Sequence, residues 1–213
     1  MNMDKVSLDT SKWLTEILKT SFQLEKHNYS NQDDVYRIQT SNKCFYLKIS
    51  TSLKKEYENL IKLKTYLKVP DVIDFRSIGN KDHLLLSDVK GNNLAELVGE
   101  YENTVIVREF ARAVKQFHSL NINELYSGEH NDGDVVLHSD MSMPNVIFAE
   151  PGSVGYIDLA QMTTGKAETD LADAIWSLQR NIGPGYGELF LQEYGDVTIT
   201  EKIDNALKFK FPT

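Results

Sequence analysis

Residues 8–22 (LDTSKWLTEILKTSF) place Trp13, Leu14, Ile17, Leu18 and Phe22 at intervals of three and four. That spacing predicts an amphipathic helix, with Thr10 or Ser11 as its N-cap. A polar stretch from Glu25 to Asp34 follows. Val35-Tyr36-Arg37-Ile38 and Cys44-Phe45-Tyr46-Leu47-Lys48-Ile49 then flank Thr40-Ser41-Asn42-Lys43, the pattern of two strands around a turn. Residues 54–67 carry Leu60, Ile61 and Leu63 at helical positions, and Pro70 stops that helix because proline lacks the N–H and crowds the preceding turn. Val72-Ile73 and Leu84-Leu85-Leu86 predict two more strands. After Ser87-Asp88-Val89 the period becomes helical, with Val107, Phe110, Ala111, Val114 and Phe117 across 104–120. Val135-Val136-Leu137 reads as a strand entering a polar loop. Val146-Ile147-Phe148 and Val154-Gly155-Tyr156-Ile157 read as a hairpin turned by Glu150-Pro151-Gly152. Residues 170–181 are helical with Leu171, Ile175 and Leu178 inward, and Gly183-Pro184-Gly185 breaks them. Two last helices are expected over 186–194 and 200–209.

Composition narrows the class. The 213 residues are 41% apolar and 25% charged, which excludes a disordered chain and is long enough to bury a core. Cys44 is the single cysteine, so no intramolecular disulfide exists, and a reducing compartment is expected. The first thirty residues hold no apolar h-region, and no apolar run reaches membrane length. The expectation is a cytoplasmic protein with no membrane partner. A net charge of −8 argues against a sequence-independent nucleic-acid binder, whose affinity comes from neutralising phosphates. It is compatible with a cationic small substrate, although mild acidity mostly serves solubility.

Three polar residues change the picture. Asp140 and Asn145 lie in LHSDMSMPNVIF, and Asp158 ends the apolar run GYIDLA. Singly, a loop Asp or Asn is turn chemistry. Together they suit phosphoryl transfer, which needs a carboxylate to take the proton of the attacking hydroxyl and hard oxygens to hold Mg²⁺ against nucleotide phosphates. No Walker phosphate loop, no G-x-S-x-G elbow and no zinc-ligand spacing occurs. His118 reads as a satisfied core histidine, and Gly183-Pro184-Gly185-Tyr186-Gly187 as a helix-terminating turn.

The segment His138-Ser139-Asp140-Met141-Ser142-Met143-Pro144-Asn145, followed by Ile157-Asp158-Leu159-Ala160 and Asp170-Leu171-Ala172, resembles the aminoglycoside phosphotransferase and choline kinase-like superfamily. These are small-molecule relatives of the protein kinases, and the likeness is greatest to the aminoglycoside 3′-phosphotransferases. The resemblance implies an α+β, two-lobed protein-kinase-like fold, with an N-lobe over 1–89 and a mostly helical C-lobe over 90–213. It implies ATP or GTP as phosphate donor, Mg²⁺, and a small-molecule hydroxyl as acceptor. Asp140 would be the catalytic base, His138 the brace of its loop, and Asn145 and Asp158 the metal ligands. Asp170 would tie that loop to the following helix, or serve as a plain N-cap. Lys48, after Phe45-Tyr46-Leu47, would meet the α and β phosphates, with Glu56 as its partner and Glu58 as the alternative. Ser30, in the loop 28–34, would lie on the nucleotide. Ser87 and Val89 would form a hinge where adenine meets backbone groups, or belong to a buried edge strand.

The sequence also departs from that pattern. Ser139 and Ala160 stand where the family usually has glycine, so a positive φ there would strain the backbone. Only 20 positions separate His118 from His138, where relatives carry more of the substrate wall. Lys208 and Lys210 replace the acidic ending that attracts a polycation, with Glu129, Asp132 and Asp134 as a replacement rim or a solvated loop. No A-P-E segment occurs, which argues against a protein substrate. The alternative reading is a catalytically impaired nucleotide-binding or regulatory protein of the same fold.

Overall fold

In the computed structural model, which describes residues 6–27, 34–127, 133–195 and 197–208, the first helix starts where a side chain caps it. Ser7 Oγ accepts the Thr10 N–H at 3.1 Å, and α1 runs over Leu8–Leu18. Neither Thr10 nor Ser11 is the cap: Thr10 is buried inside the helix, its hydroxyl 2.9 Å from His83 Nε2. Lys19, left-handed at φ 51°, ends α1. Phe22 is therefore not helical. It opens β1 (Phe22–His27), a strand that falls within and just before the stretch read as polar. Phe22 and Leu24 face the core while Gln23, Glu25 and Lys26 face water.

The hairpin expected next is present as β2 (Asp34–Thr40) and β3 (Cys44–Ser50). α2 (Lys54–Leu63) ends on Lys64, before Pro70 can act on it. β4 (Val72–Ile78) and β5 (Lys81–Ser87) complete a five-stranded antiparallel sheet in the order β1-β2-β3-β5-β4. Trp13 and Leu14 pack on Tyr36, Ile38, Leu47, Ile49 and Leu85, so α1 covers the sheet through the apolar stripe seen in its sequence. Among the described residues, those up to 64 together with 70–88 form one compact unit, and 65–69 together with those from 89 onward form a second.

The second unit is mostly helical. Short β6 (Asn92–Asn93) precedes α3 (Asn103–His118), which buries Val107, Phe110, Ala111, Val114 and Phe117 as its spacing predicts. α4 (Ile122–Leu125) is one turn. β7 (Val135–Leu137) pairs with β10 (Thr163–Gly165), and β8 (Val146–Glu150) forms the expected hairpin with β9 (Ser153–Tyr156). α5 (Glu168–Ile182), α6 (Gly187–Tyr194) and α7 (Glu201–Lys208) follow, with α3 against α6 and α5 against α7. Gly155 is needed in β9: a Cβ there would stand 2.6 Å from Val89 Cγ1 and 3.1 Å from the Lys68 carbonyl oxygen. Among the described residues no helix is long and apolar enough to cross a membrane.

His83 gives the first unit a pH dependence. Its Nδ1 lies 3.2 Å from the Lys81 carbonyl, which only accepts, so Nδ1 carries the proton and Nε2 accepts from Thr10. Burial lowers the pKa of this ring below its ordinary 6.5. The unfolded chain therefore takes up the proton first as pH falls through that value, and stability drops toward acid. Urea unfolding at stepped pH is expected to show this slope, and His83→Gln to flatten it.

Candidate active site

β7 delivers His138 into the core, where it is fully buried. Its Nε2 lies 3.0 Å from the Ile157 carbonyl, so Nε2 carries the proton, and burial depresses the ring pKa. The ring packs at 5.5 Å on Phe117 of α3. One side chain thus ties the loop after β7 to the residue preceding Asp158.

The next residue turns the chain. Ser139 has φ 64°, and Asp158 has φ 61°; both lie in the left-handed region. Ala160 does not, so the strain expected at the two glycine-replacing positions falls on Ser139 alone. The turn points two successive N–H groups at one carboxylate. His138 N–H donates to Asp170 Oδ2 at 2.7 Å and Ser139 N–H to Asp170 Oδ1 at 2.9 Å. Asp170 is fully buried in the first turn of α5, whose N-cap position is Ala167. Its carboxylate holds the loop and does not cap the helix. His118 Nε2 donates a third bond to it at 3.1 Å, and the His118 Nδ1 accepts from the Tyr194 hydroxyl at 2.9 Å. The core histidine is satisfied, and it is part of this network.

Asp140 then reaches the surface, held at 2.9 Å by Asn145 Nδ2, which also donates to the Asp140 carbonyl at 2.9 Å. Two acceptors, the Asp140 carboxylate and its carbonyl, fix that amide. Asn145 sits in the 3₁₀ turn Met143–Asn145, and its carbonyl accepts the Ile157 N–H at 3.1 Å, which places Asp158 next in line. Desolvation pushes the Asp140 pKa above the usual carboxylate value, the Asn145 bond pulls it down, and Asp158 and Asp170 add repulsion. Among the described residues no three His, Cys, Asp or Glu form a metal cluster of their own. Asn145 Oδ1 and the Asp158 carboxylate are hard oxygen donors, which fit Mg²⁺ when its other ligands are phosphate and water.

In the first unit, Lys48 Nζ lies 2.7 and 2.8 Å from the two oxygens of buried Glu56. Glu58 is exposed and pairs with Lys54 at 3.8 Å, so the lysine's partner is Glu56. Ser87 is engaged by Asp71: its N–H donates to the Asp71 carbonyl at 2.9 Å and its hydroxyl accepts the Asp71 N–H at 2.8 Å. Val89 is buried in the second unit against Gly155. Ser30, Glu129, Asp132 and Lys210 lie outside the described residues. Asp134 is exposed, its N–H on the Gly165 carbonyl, and Lys208 pairs with Asp204.

Two α5 residues escaped the sequence reading. Ser177 Oγ accepts the Met143 N–H at 2.8 Å. Asp173 is half-buried, and its pKa is raised by desolvation and by Asp170 and Asp140, with Lys202 opposing. The available signal was their spacing from Asp170, three and seven residues on, which puts all three on one helix face.

The strain at Ser139 is measurable. A non-glycine residue in the left-handed region costs roughly 1–2 kcal/mol. Ser139→Gly is expected to raise the free energy of unfolding, by about 1 kcal/mol once the greater freedom of unfolded glycine is set against it. Equilibrium denaturation in urea checks this.

Solved structures share the architecture. An aminoglycoside-3′-phosphotransferase of type VIII is 18% identical, with 88% of this chain and 91% of that one covered and a TM-score of 0.68. Aminoglycoside phosphotransferase APH(3″)-Id from Streptomyces rimosus, solved with ADP and streptomycin, is 18% identical, with 94% and 97% covered and a TM-score of 0.70. The gentamicin complex of APH(2″)-IIa is 14% identical, with 96% and 85% covered and a TM-score of 0.69. At these identities the likeness, including the one to 3′-phosphotransferases, is one of fold: α+β and protein-kinase-like. No curated protein matches the chain. The sequence itself matches a family over residues 14–184, and on that match the chain belongs to the RIO domain family, within the protein-kinase-like superfamily.

Proposed function

We propose that this chain is a phosphotransferase that moves the γ-phosphoryl group of ATP or GTP to a hydroxyl of a small molecule, with Mg²⁺. The observation that carries the reading is the loop clamped by Asp170, in which the Asn145 amide fixes the Asp140 carboxylate. Asp140 takes the proton of the acceptor hydroxyl as its oxygen bonds to phosphorus and the bond to the β-phosphate oxygen breaks. A carboxylate whose pKa is raised by its surroundings is a better base for that task. Lys48, held by both oxygens of Glu56, positions the α and β phosphates. Asn145 and Asp158 would hold Mg²⁺, which supplies neutralisation of phosphate charge when bound. Most of the acceleration would come from positioning and from fixed charges. The neighbour solved with ADP and streptomycin supports a nucleotide and a small-molecule acceptor.

Membership of the RIO family favours a second acceptor class, a protein hydroxyl. The third reading is nucleotide binding without turnover, motivated by the short span between His118 and His138.

Incubation of the purified chain with Mg·ATP or Mg·GTP, against panels of hydroxylated small molecules and of proteins, separates the three. Turnover on a small molecule is expected. Asp140→Asn should lower kcat about 10²–10⁴-fold and leave nucleotide-induced thermal stabilisation in place. Lys48→Ala should weaken that stabilisation, and removal of the metal with a chelator should stop turnover. Turnover on proteins alone would transfer the reading to the second class. Stabilisation by nucleotide with no turnover, and indifference to Asp140→Asn, would establish the third.

A further inference from the structure

We infer that Ser177 is a positioning residue for the loop that carries Asp140 and Asn145, acting as the second of two anchors on α5. Asp170 and Ser177 are seven residues apart, two turns or about 10.5 Å along the helix. Asp170 takes the N–H groups of His138 and Ser139 at the start of the loop, and Ser177 Oγ takes the Met143 N–H at its end. Asp140 lies between the two fixed points.

The second anchor meets a buried donor, the Met143 N–H, that the loop's own backbone leaves unsatisfied. Met143 opens the 3₁₀ turn, so its N–H is one of the first-turn donors that the turn's own carbonyls cannot reach. Met143 is fully buried and Ser177 is 8% exposed, so water is a poor substitute for the hydroxyl. Pro144 follows, with no N–H and a fixed φ, and transmits the position of Met143 directly to Asn145. Asn145 in turn holds Asp140 through Nδ2. Ser177 is itself oriented from the next turn of α5. The Asn181 Nδ2 donates to the Ser177 carbonyl at 2.8 Å and to its Oγ at 3.3 Å. A displaced Met143 therefore moves the Asn145 amide relative to the Asp140 carboxylate, while the Asp170 clamp at the other end stays closed.

The kinetic part of this inference rests on the phosphotransferase reading, and the exchange part does not. Ser177→Ala and Ser177→Thr, the latter keeping the hydroxyl oxygen, are compared with the parent chain by amide hydrogen exchange and by kinetics. In Ser177→Ala the exchange protection of Met143 is expected to fall about tenfold, with His138 and Ser139 unchanged. The expected kinetic effect is a fall in kcat of about 10–100-fold, as for residues that orient ligating groups. KM for the nucleotide should stay within about twofold of the parent, because the Lys48–Glu56 pair is untouched. Ser177→Thr is expected to restore most of both losses. The inference is overturned by unchanged Met143 exchange, by equal loss of protection at His138, or by Ser177→Thr being as damaging as Ser177→Ala. If the parent chain shows no turnover, the phosphotransferase reading has failed, and the contrast between Met143 and His138 exchange alone decides whether the anchor exists.

Discussion

A buried carboxylate and a strained turn hold each other in place. Asp170 is fully buried, and a charge in that position is tolerable only when donors surround it. It has three: His138 N–H, Ser139 N–H and His118 Nε2. Two of them are consecutive backbone amides, and they converge because Ser139 is left-handed. Such a turn forms a concavity of N–H groups suited to an anion. Hydrogen bonds to a charged group contribute about 1.5–3 kcal/mol each, which more than offsets the roughly 1–2 kcal/mol of an L-residue in that region. Remove the carboxylate and the turn has no reason to stay strained. Relax the turn and the carboxylate loses two donors.

The first unit uses the same device on a side chain. Glu56 is buried in the first turn of α2, and both of its oxygens meet the Lys48 ammonium on β3. A buried pair of this kind adds little net stability, since desolvation cancels most of the attraction, but breaking it leaves an uncompensated charge inside the protein. Its effect is to fix where one positive charge sits. His138 does comparable work without charge, joining the loop to Ile157 through a ring that burial keeps neutral.

These couplings explain which parts of the molecule were legible in the sequence. The hairpins β2–β3 and β8–β9 and helices α3 and α5 follow from apolar period alone, because each buries one face. β1 was missed because an edge strand with Glu25 and Lys26 outward has too few apolar positions to show a period of two. The cap of α1 was misplaced because Thr10, a good capping residue by type, is drawn inward by His83. At the site, the spacing of Asp140, Asn145 and Asp158 was readable, and the structure puts the first two in contact. Asp170 stayed ambiguous because a carboxylate in the first turn suits the helix dipole whichever way it points. For Ser177 the sequence offered only its place on the Asp170 face of α5, because its role depends on a partner 34 residues away in the chain.

The two left-handed residues sharpen the point. Asp is among the residues that tolerate this conformation and serine is less so, yet both occur within the loops that carry the candidate groups. Strained residues persist only where surrounding structure over-determines them. At Ser139 that structure is α5, and the bonds involved are all made by the protein to itself. The orientation of Asp140 against Asn145 is therefore set as the second unit folds, before any reactant arrives. A site whose charges are fixed by folding has little reorganisation left to perform during a reaction, which is the condition under which electrostatic stabilisation is most effective. By the same logic, under the proposed function, substitutions deep in α5 should act on chemistry more than on nucleotide affinity, since what they loosen is the position of the proposed base and the proposed ligating amide.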